Sequence, residues 1–253
     1  MKKFLLAATA AFALAGPSVL NAAEEIHIPK EEWSFNGVMG TFDKAQLQRG
    51  FQVYKEVCSA CHSLQYISFR NFTDLGYSEE QVKSLAAQYD VEDGPNDDGE
   101  MFKRKARPSD HVPKPFPNDA LARVANGGAL PPDLSLMTKA REGGPDYVYH
   151  LLLGYEEPPA GLELTPGLSY NKYFPGHQIG MAKQVADGIV TFADGAPSDA
   201  AHIAKDVTAF LHWAAEPKLE ARHSTGVRVT LYALIFAVLA FLAKRRLWKD
   251  IKH

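Results

Sequence analysis

Cys58-Ser59-Ala60-Cys61-His62 constrains this chain more than any other feature of its sequence. The spacing C-x-x-C-H is that of covalent c-type haem attachment. Two thiols separated by two residues can add to the two vinyl groups on one edge of a haem. The adjacent histidine then swings beneath the ring and places an imidazole nitrogen on iron. A dithiol redox motif would call for a strand-turn-helix context and has no use for the histidine, and a zinc site needs two further ligands at recognisable spacing. These are the chain's only cysteines, so four-thiolate metal modules and disulfide-stapled scaffolds built from this chain alone are excluded.

The two ends of the chain set its compartment. Lys2 and Lys3 precede an apolar run from Phe4 to Ala15, then Gly16-Pro17 and the small residues around Ala22-Ala23. About a dozen apolar residues are too few to cross roughly 30 Å of hydrocarbon, so residues 1–23 are expected to be a cleaved export signal. A second apolar run, Val229 to Ala243, becomes long enough to span when extended back to Thr225, with Arg228 reaching toward the interface. Lys244, Arg245, Arg246, Trp248, Lys249 and Lys252 follow it, the basic and aromatic border of a cytoplasmic face. The expected organisation is a periplasmic domain over 24–224, a transmembrane anchor over 225–243 and a cytoplasmic tail over 244–253.

Charge is unevenly divided. Residues 24–224 carry 29 acidic and 19 basic side chains, a balance of −10 against −3 for the whole chain. That disfavours nucleic acid and favours a basic partner through long-range steering. The densest acidic run, Asp90 to Glu100, is expected to be a solvated Gly/Pro-containing loop.

The flanks of the haem motif read as helices. Thr41 is placed to cap a helix on which Leu47, Phe51, Tyr54 and Val57 recur at helical spacing, with Asp43 favouring its positive end. Ile203, Val207, Phe210, Leu211 and Ala214 form another, ending near Glu216-Pro217. The pair resembles the first and last helices of small c-type cytochromes, which pack at a close contact of glycine and aromatics, and that resemblance implies that Gly50 and Tyr54 meet Phe210 and Trp213 where the two cross. A thioether suits the sixth position on iron. Met39 precedes the motif, Met101 lies in the acidic loop and Met137 is expected on an apolar helix face. Met181 sits in the Pro/Gly loop Phe174-Pro-Gly-His-Gln-Ile-Gly-Met181, with His177 as its rival.

Beyond the pentapeptide stand Leu121-Ala-Arg-Val-Ala-Asn-Gly-Gly-Ala-Leu-Pro-Pro-Asp-Leu-Ser135, Gly144-Pro-Asp-Tyr147, Gly154-Tyr-Glu-Glu-Pro-Pro159, Gly167-Leu-Ser-Tyr-Asn-Lys-Tyr-Phe-Pro-Gly176 and Trp213-Ala-Ala-Glu-Pro217. With these, nearly the whole mature chain resembles the cytochrome c1 family, the haem-carrying subunit of the quinol–cytochrome c oxidoreductase, or bc1 complex. The resemblance implies a mainly α c-type cytochrome domain with long loop insertions, between Ser63 and Asn118 and between Thr138 and Ile179, plus one C-terminal transmembrane helix. It implies one covalent haem c on Cys58 and Cys61, His62 and Met181 as axial ligands, Arg123 at a propionate, and Asn126 and the Pro131-Pro132 stretch lining the crevice. It further implies single-electron transfer from the Rieske iron–sulfur protein to a soluble or membrane-tethered cytochrome c, with no substrate bond made or broken on this chain. Cytochrome b would be a neighbour in a bacterial inner membrane. The sequence departs from the family where prolines usually follow the ligand methionine, since Ala182-Lys183-Gln184 stand there, and where some bacterial members carry a second cysteine pair. The loops between Leu136 and Gly180 are therefore expected to be held by packing alone. A free-standing anchored monohaem cytochrome serving another dehydrogenase or oxidase is one alternative, and an exported dithiol oxidoreductase is another.

Overall fold

The first helix, α1 (Lys44–Val53), begins at Asp43, whose carboxylate accepts hydrogen bonds from the backbone N–H groups of Ala45 and Gln46. The cap is therefore Asp43 rather than Thr41: its carboxylate answers both the orphan N–H groups and the positive helix end. The computed structural model describes residues 26–250, and the expected export signal lies outside the described residues.

Helix α5 (Ala200–Ala215), capped by Asp199 on the N–H of His202, crosses α1 at Gly50. A Cβ on Gly50 would lie 2.1 Å from the carbonyl oxygen of Asp206 and 2.7 Å from Cβ of Phe210, so only glycine allows this approach. Around the crossing, Tyr54 packs on Phe210 (5.8 Å between ring centroids) and Trp213 packs on Phe210 (5.7 Å) and Phe72 (6.1 Å). Each such side chain, nearly or fully buried, contributes about 1.5–3 kcal/mol by leaving water. The buried carboxylate of Asp206 is matched by Arg49 at 2.6 Å and by the amide of Gln46 at 3.0 Å. The expected meeting of Gly50 and Tyr54 with the last haem-domain helix is what the structure shows.

The two long insertions carry elements of their own. The first contains a 3-10 helix (Phe69–Leu75), α2 (Glu79–Ala86) and a hairpin of β1 (Asp90–Asp93) on β2 (Phe102–Lys105). The acidic run is thus not simply a loop: Asp90 pairs with Lys105, and Arg104 bonds both Asp93 and Asp110. Then come α3 (Asp119–Ala125), capped by Asn118, and α4 (Gly144–Leu153), which packs on α5. Pro145 opens α4 after the left-handed Gly143. Met137 lies in a run of turns, not on a helix, and still packs against the core. A last hairpin, β3 (Ser169–Tyr170) on β4 (Gln178–Ile179), leads directly to Met181.

Helix α6 (Leu219–Leu247) follows α5 across Glu216-Pro217. At about 1.5 Å per residue its 29 residues reach roughly 43 Å, enough to cross a bilayer, and the expected span 225–243 falls inside it. Its first turns are fastened to the haem domain: Glu220 accepts the backbone N–H of Phe42 at 2.8 Å, and His223 Nδ1 lies 3.2 Å from the carbonyl of Gly40. Beyond Leu219 none of its described residues is buried, and Val229, Leu231, Leu234, Ile235, Phe236 and Leu239 are all exposed. An all-round apolar helix in that state suits a hydrocarbon environment.

Candidate haem-binding site

Helix α1 does not stop at Val53. Tyr54–Cys58 continues it as one π-turn, with Ser59 N–H donating to the carbonyl of Tyr54 at 2.8 Å. The wider turn changes the direction in which the following residues leave the helix, and such insertions recur at functional sites. Next, the N–H groups of Cys61 and His62 both donate to the carbonyl of Cys58, at 3.1 and 2.9 Å, and curl the pentapeptide into a single turn. Tyr54 closes it by donating its hydroxyl to the carbonyl of His62 at 3.1 Å. Both thiols are free.

The ring of His62 is oriented by a distant segment. Its Nδ1 lies 2.8 Å from the carbonyl oxygen of Pro132, an acceptor only, so Nδ1 carries the proton and Nε2 keeps its lone pair. Burial pulls the imidazole pKa below its ordinary value, against the opposing pull of the Pro132 carbonyl and Asp133, so the ring is neutral. A metal ligand needs that state and that tautomer.

Asp133 holds Pro132 in place. One carboxylate oxygen accepts Ser63 Oγ at 2.7 Å and Gln65 N–H at 2.9 Å, and the other accepts Ser135 N–H at 2.9 Å. Leu134 N–H bonds the carbonyl of Ser63, and Tyr66 N–H bonds Ser135 Oγ. Burial would raise the Asp133 pKa, but the hydrogen bonds from Ser63, Gln65 and Ser135 outweigh it and keep the carboxylate charged. Sequence reading placed Pro132 in the crevice but missed Ser63, Asp133 and Ser135.

Met181 is half-buried, whereas Met39 and Met101 are 78% and 58% exposed. Its segment is tied by hydrogen bonds as well as packing. Buried Asn171 donates its amide to the carbonyl of Leu151 (2.7 Å) and accepts Tyr173 N–H (3.0 Å), while its own N–H bonds the carbonyl of His177 (3.0 Å). Tyr155, at the end of α4, donates its hydroxyl to the carbonyl of Met181 at 3.0 Å. His177 occupies the hairpin turn at φ +60°, stacked on Tyr170 with centroids 5.6 Å apart.

Arg123 is exposed on α3, its guanidinium donating to the carbonyl of Gly128 at 3.0 Å. Asn126 ends α3 and donates its amide to the carbonyl of Ala122 at 2.7 Å. Pro131 is half-buried beside Pro132. At the far end of this loop, Ala129 abuts Gly180: a Cβ on Gly180 would lie 3.0 Å from that of Ala129. One short segment, 126–135, therefore connects the His62 and Met181 sides of the site.

The environment of the thiols argues against dithiol chemistry. Reactive C-x-x-C thiolates sit at helix N-termini with depressed pKa values. Cys58 instead ends a helix, and burial, with Cys61 beside it, pushes its pKa up to about 12. Two thiols in one turn followed by a neutral, tautomer-fixed histidine fit a c-type haem.

Residues 33–251 match the Cytochrome C1 family. The chain belongs to the cytochrome c1 family. It is 42% identical over 269 residues to cytochrome c1 of Rhodospirillum rubrum, covering all of this chain and 98% of that protein. It is 46% identical over 244 residues to cytochrome c1-2, heme protein, mitochondrial, of Solanum tuberosum, covering 94% of each. It is 50% identical over 244 residues to a Bradyrhizobium diazoefficiens protein named cytochrome b/c1, covering 88% of this chain but only 36% of that longer relative. Cytochrome c1 is a c-type haem protein of electron transport, and the mainly helical domain with its C-terminal apolar helix is the architecture expected for the family.

Proposed function

We propose that this cytochrome c1 passes single electrons from the Rieske iron–sulfur protein to a soluble or membrane-tethered c-type cytochrome, as part of a bc1 complex. The observation that carries the reading is the His62–Pro132 hydrogen bond, which presents a neutral imidazole with Nε2 available to iron. Haem, when bound, supplies a one-electron iron couple. Cys58 and Cys61 would each add an S–H across a vinyl group, forming two thioethers within one backbone turn. His62 would supply its Nε2 and Met181 its sulfur to the iron. Arg123 would meet a propionate with its guanidinium fork, and Asn126 and Pro131 would line the crevice. None of these residues makes or breaks a substrate bond, so the chain is an electron carrier and not an enzyme by itself.

Helix α6 would hold the domain on the periplasmic side of a bacterial inner membrane, with 244–253 as the cytoplasmic tail. The basic residues at its C-terminal end support that orientation. Its unburied apolar surface supports cytochrome b as a neighbour, as does the name of the Bradyrhizobium relative, which joins b and c1. Purification in mild detergent tests the assignment. Cytochrome b and the Rieske protein are expected to accompany the chain; their consistent absence would make it a free-standing anchored cytochrome. Rising salt is expected to slow reduction of a basic cytochrome c, and a salt-independent rate would remove the acidic docking surface.

A further inference from the structure

Met181 begins a segment, 181–186, that is neither helix nor strand and whose residues 182–184 are exposed and lack the proline that would fix the backbone. Helix α4 is packed on α5. Tyr155 follows α4 directly, paired by a β-bridge to Asn171, and Lys172 N–H bonds the carbonyl of Gly154 at 3.0 Å. Gly154 packs tightly against this segment: a Cβ there would lie 2.7 Å from Asn171 Oδ1 and 2.6 Å from the Tyr173 ring. Tyr155 is thus fixed at its backbone, and its hydroxyl reaches across 26 residues of sequence to the Met181 carbonyl.

We propose that Tyr155 is a positioning residue for Met181, its hydrogen bond to the Met181 carbonyl doing for this segment what a proline at position 182 would do. The inference rests on the reading of Met181 as the iron ligand. Without a fixed φ at residue 182, the backbone carrying the sulfur can rotate away, and a bond from a rigid helix end to the carbonyl at that hinge opposes the rotation. Gln184 adds a weaker local tie, its amide donating to the carbonyl of Ala182 at 3.1 Å on the exposed side.

The test uses the full-length, haem-loaded protein in detergent, read by the far-red thioether-to-ferric-iron absorption band and by the rate at which imidazole displaces it. Tyr155→Phe keeps the ring and loses the donor. It is expected to let imidazole displace the band about three- to tenfold faster, the equivalent of one hydrogen bond. Adding Ala182→Pro to Tyr155→Phe is expected to bring the rate back toward wild type. A Tyr155→Phe rate within about twofold of wild type, with Met181→Leu abolishing the band, overturns the inference and leaves the ligand in place. A band that survives Met181→Leu overturns the ligand reading itself. Loss of far-UV dichroism together with the band in Tyr155→Phe, unrelieved by Ala182→Pro, would make the tyrosine merely structural and also overturn the proposal.

Discussion

The Nδ1 of His62 and the carbonyl oxygen of Pro132 lie 2.8 Å apart although 70 residues separate them in sequence. That contact sets the tautomer of the imidazole and ties its orientation to a segment whose position depends on Asp133. The strength of such an outer hydrogen bond tunes how much electron density the ring gives to iron.

Replacing Asp133 with alanine removes two hydrogen bonds that hold 132–135 against 63–65 and a third within the segment, from Ser135 N–H. The Nδ1 bond then loosens, the ring would donate less to iron and a nearby negative charge disappears, and both changes would favour ferrous over ferric iron. The reduction potential is expected to rise, and stability to fall by about 1–3 kcal/mol. Redox titration and denaturant unfolding of the haem-loaded variant read the two effects.

Gly50→Ala places a methyl group against the backbone of α5, 2.1 Å from the Asp206 carbonyl. The helices must separate, disturbing the Arg49–Asp206 pair as well as the aromatic cluster. A loss of about 2–3 kcal/mol is expected, checked by thermal unfolding, with the haem spectrum affected less than the stability.

His212 is stacked on Phe35 at 4.4 Å and its Nδ1 lies 3.2 Å from Thr138 Oγ1. Burial lowers its pKa to about 4, the Glu216 charge opposing and Lys139 assisting. Because the folded pKa lies below the unfolded value of about 6.5, the contribution is fully present above pH 6.5 or so and is lost as pH falls toward 4. Its size is on the order of 2 kcal/mol once solvent screening of the half-buried ring is allowed for. A His212→Phe variant is expected to show a flatter stability profile across that window, measured by denaturant midpoints at successive pH values.

Termination after Ser224 keeps the docked turn of α6, with Glu220 on Phe42 and His223 on Gly40, and removes the apolar run. The shortened protein is expected to remain in solution without detergent, its unfolding midpoint within about 0.5 kcal/mol of the full chain. Termination after Pro217 also removes buried Leu219 and is expected to cost about 1.5–3 kcal/mol more.

Much of this arrangement was legible in the sequence because it rests on local chemistry. The haem pentapeptide, the helix faces of α1 and α5, and the apolar run of α6 are written in residue type and spacing. Gly50 against Phe210 could be anticipated from the resemblance to small c-type cytochromes, whose first and last helices meet at a glycine. The insertions were less legible. Ser78-Glu79-Glu80-Gln81 is a capping box that marks the start of α2, and Gly143-Gly144-Pro145 marks α4, but both helices are short and their apolar patterns weak. The β1–β2 hairpin was hidden because its residues are charged, and its stability comes from Arg104 and Lys105 pairing with acids that in sequence read only as repulsive. The roles of Asp133, Asn171 and Tyr155 depend on partners 20 to 70 residues away, so composition and periodicity carried no trace of them.

The most direct measurement is the alkaline pyridine spectrum of the purified, exported protein, followed by mass analysis of its Cys58–His62 peptide. A c-type haemochrome band and a peptide carrying one haem on both cysteines, each lost in a Cys58→Ser, Cys61→Ser double variant, are the predicted results. A colourless protein with two unmodified thiols would contradict the account.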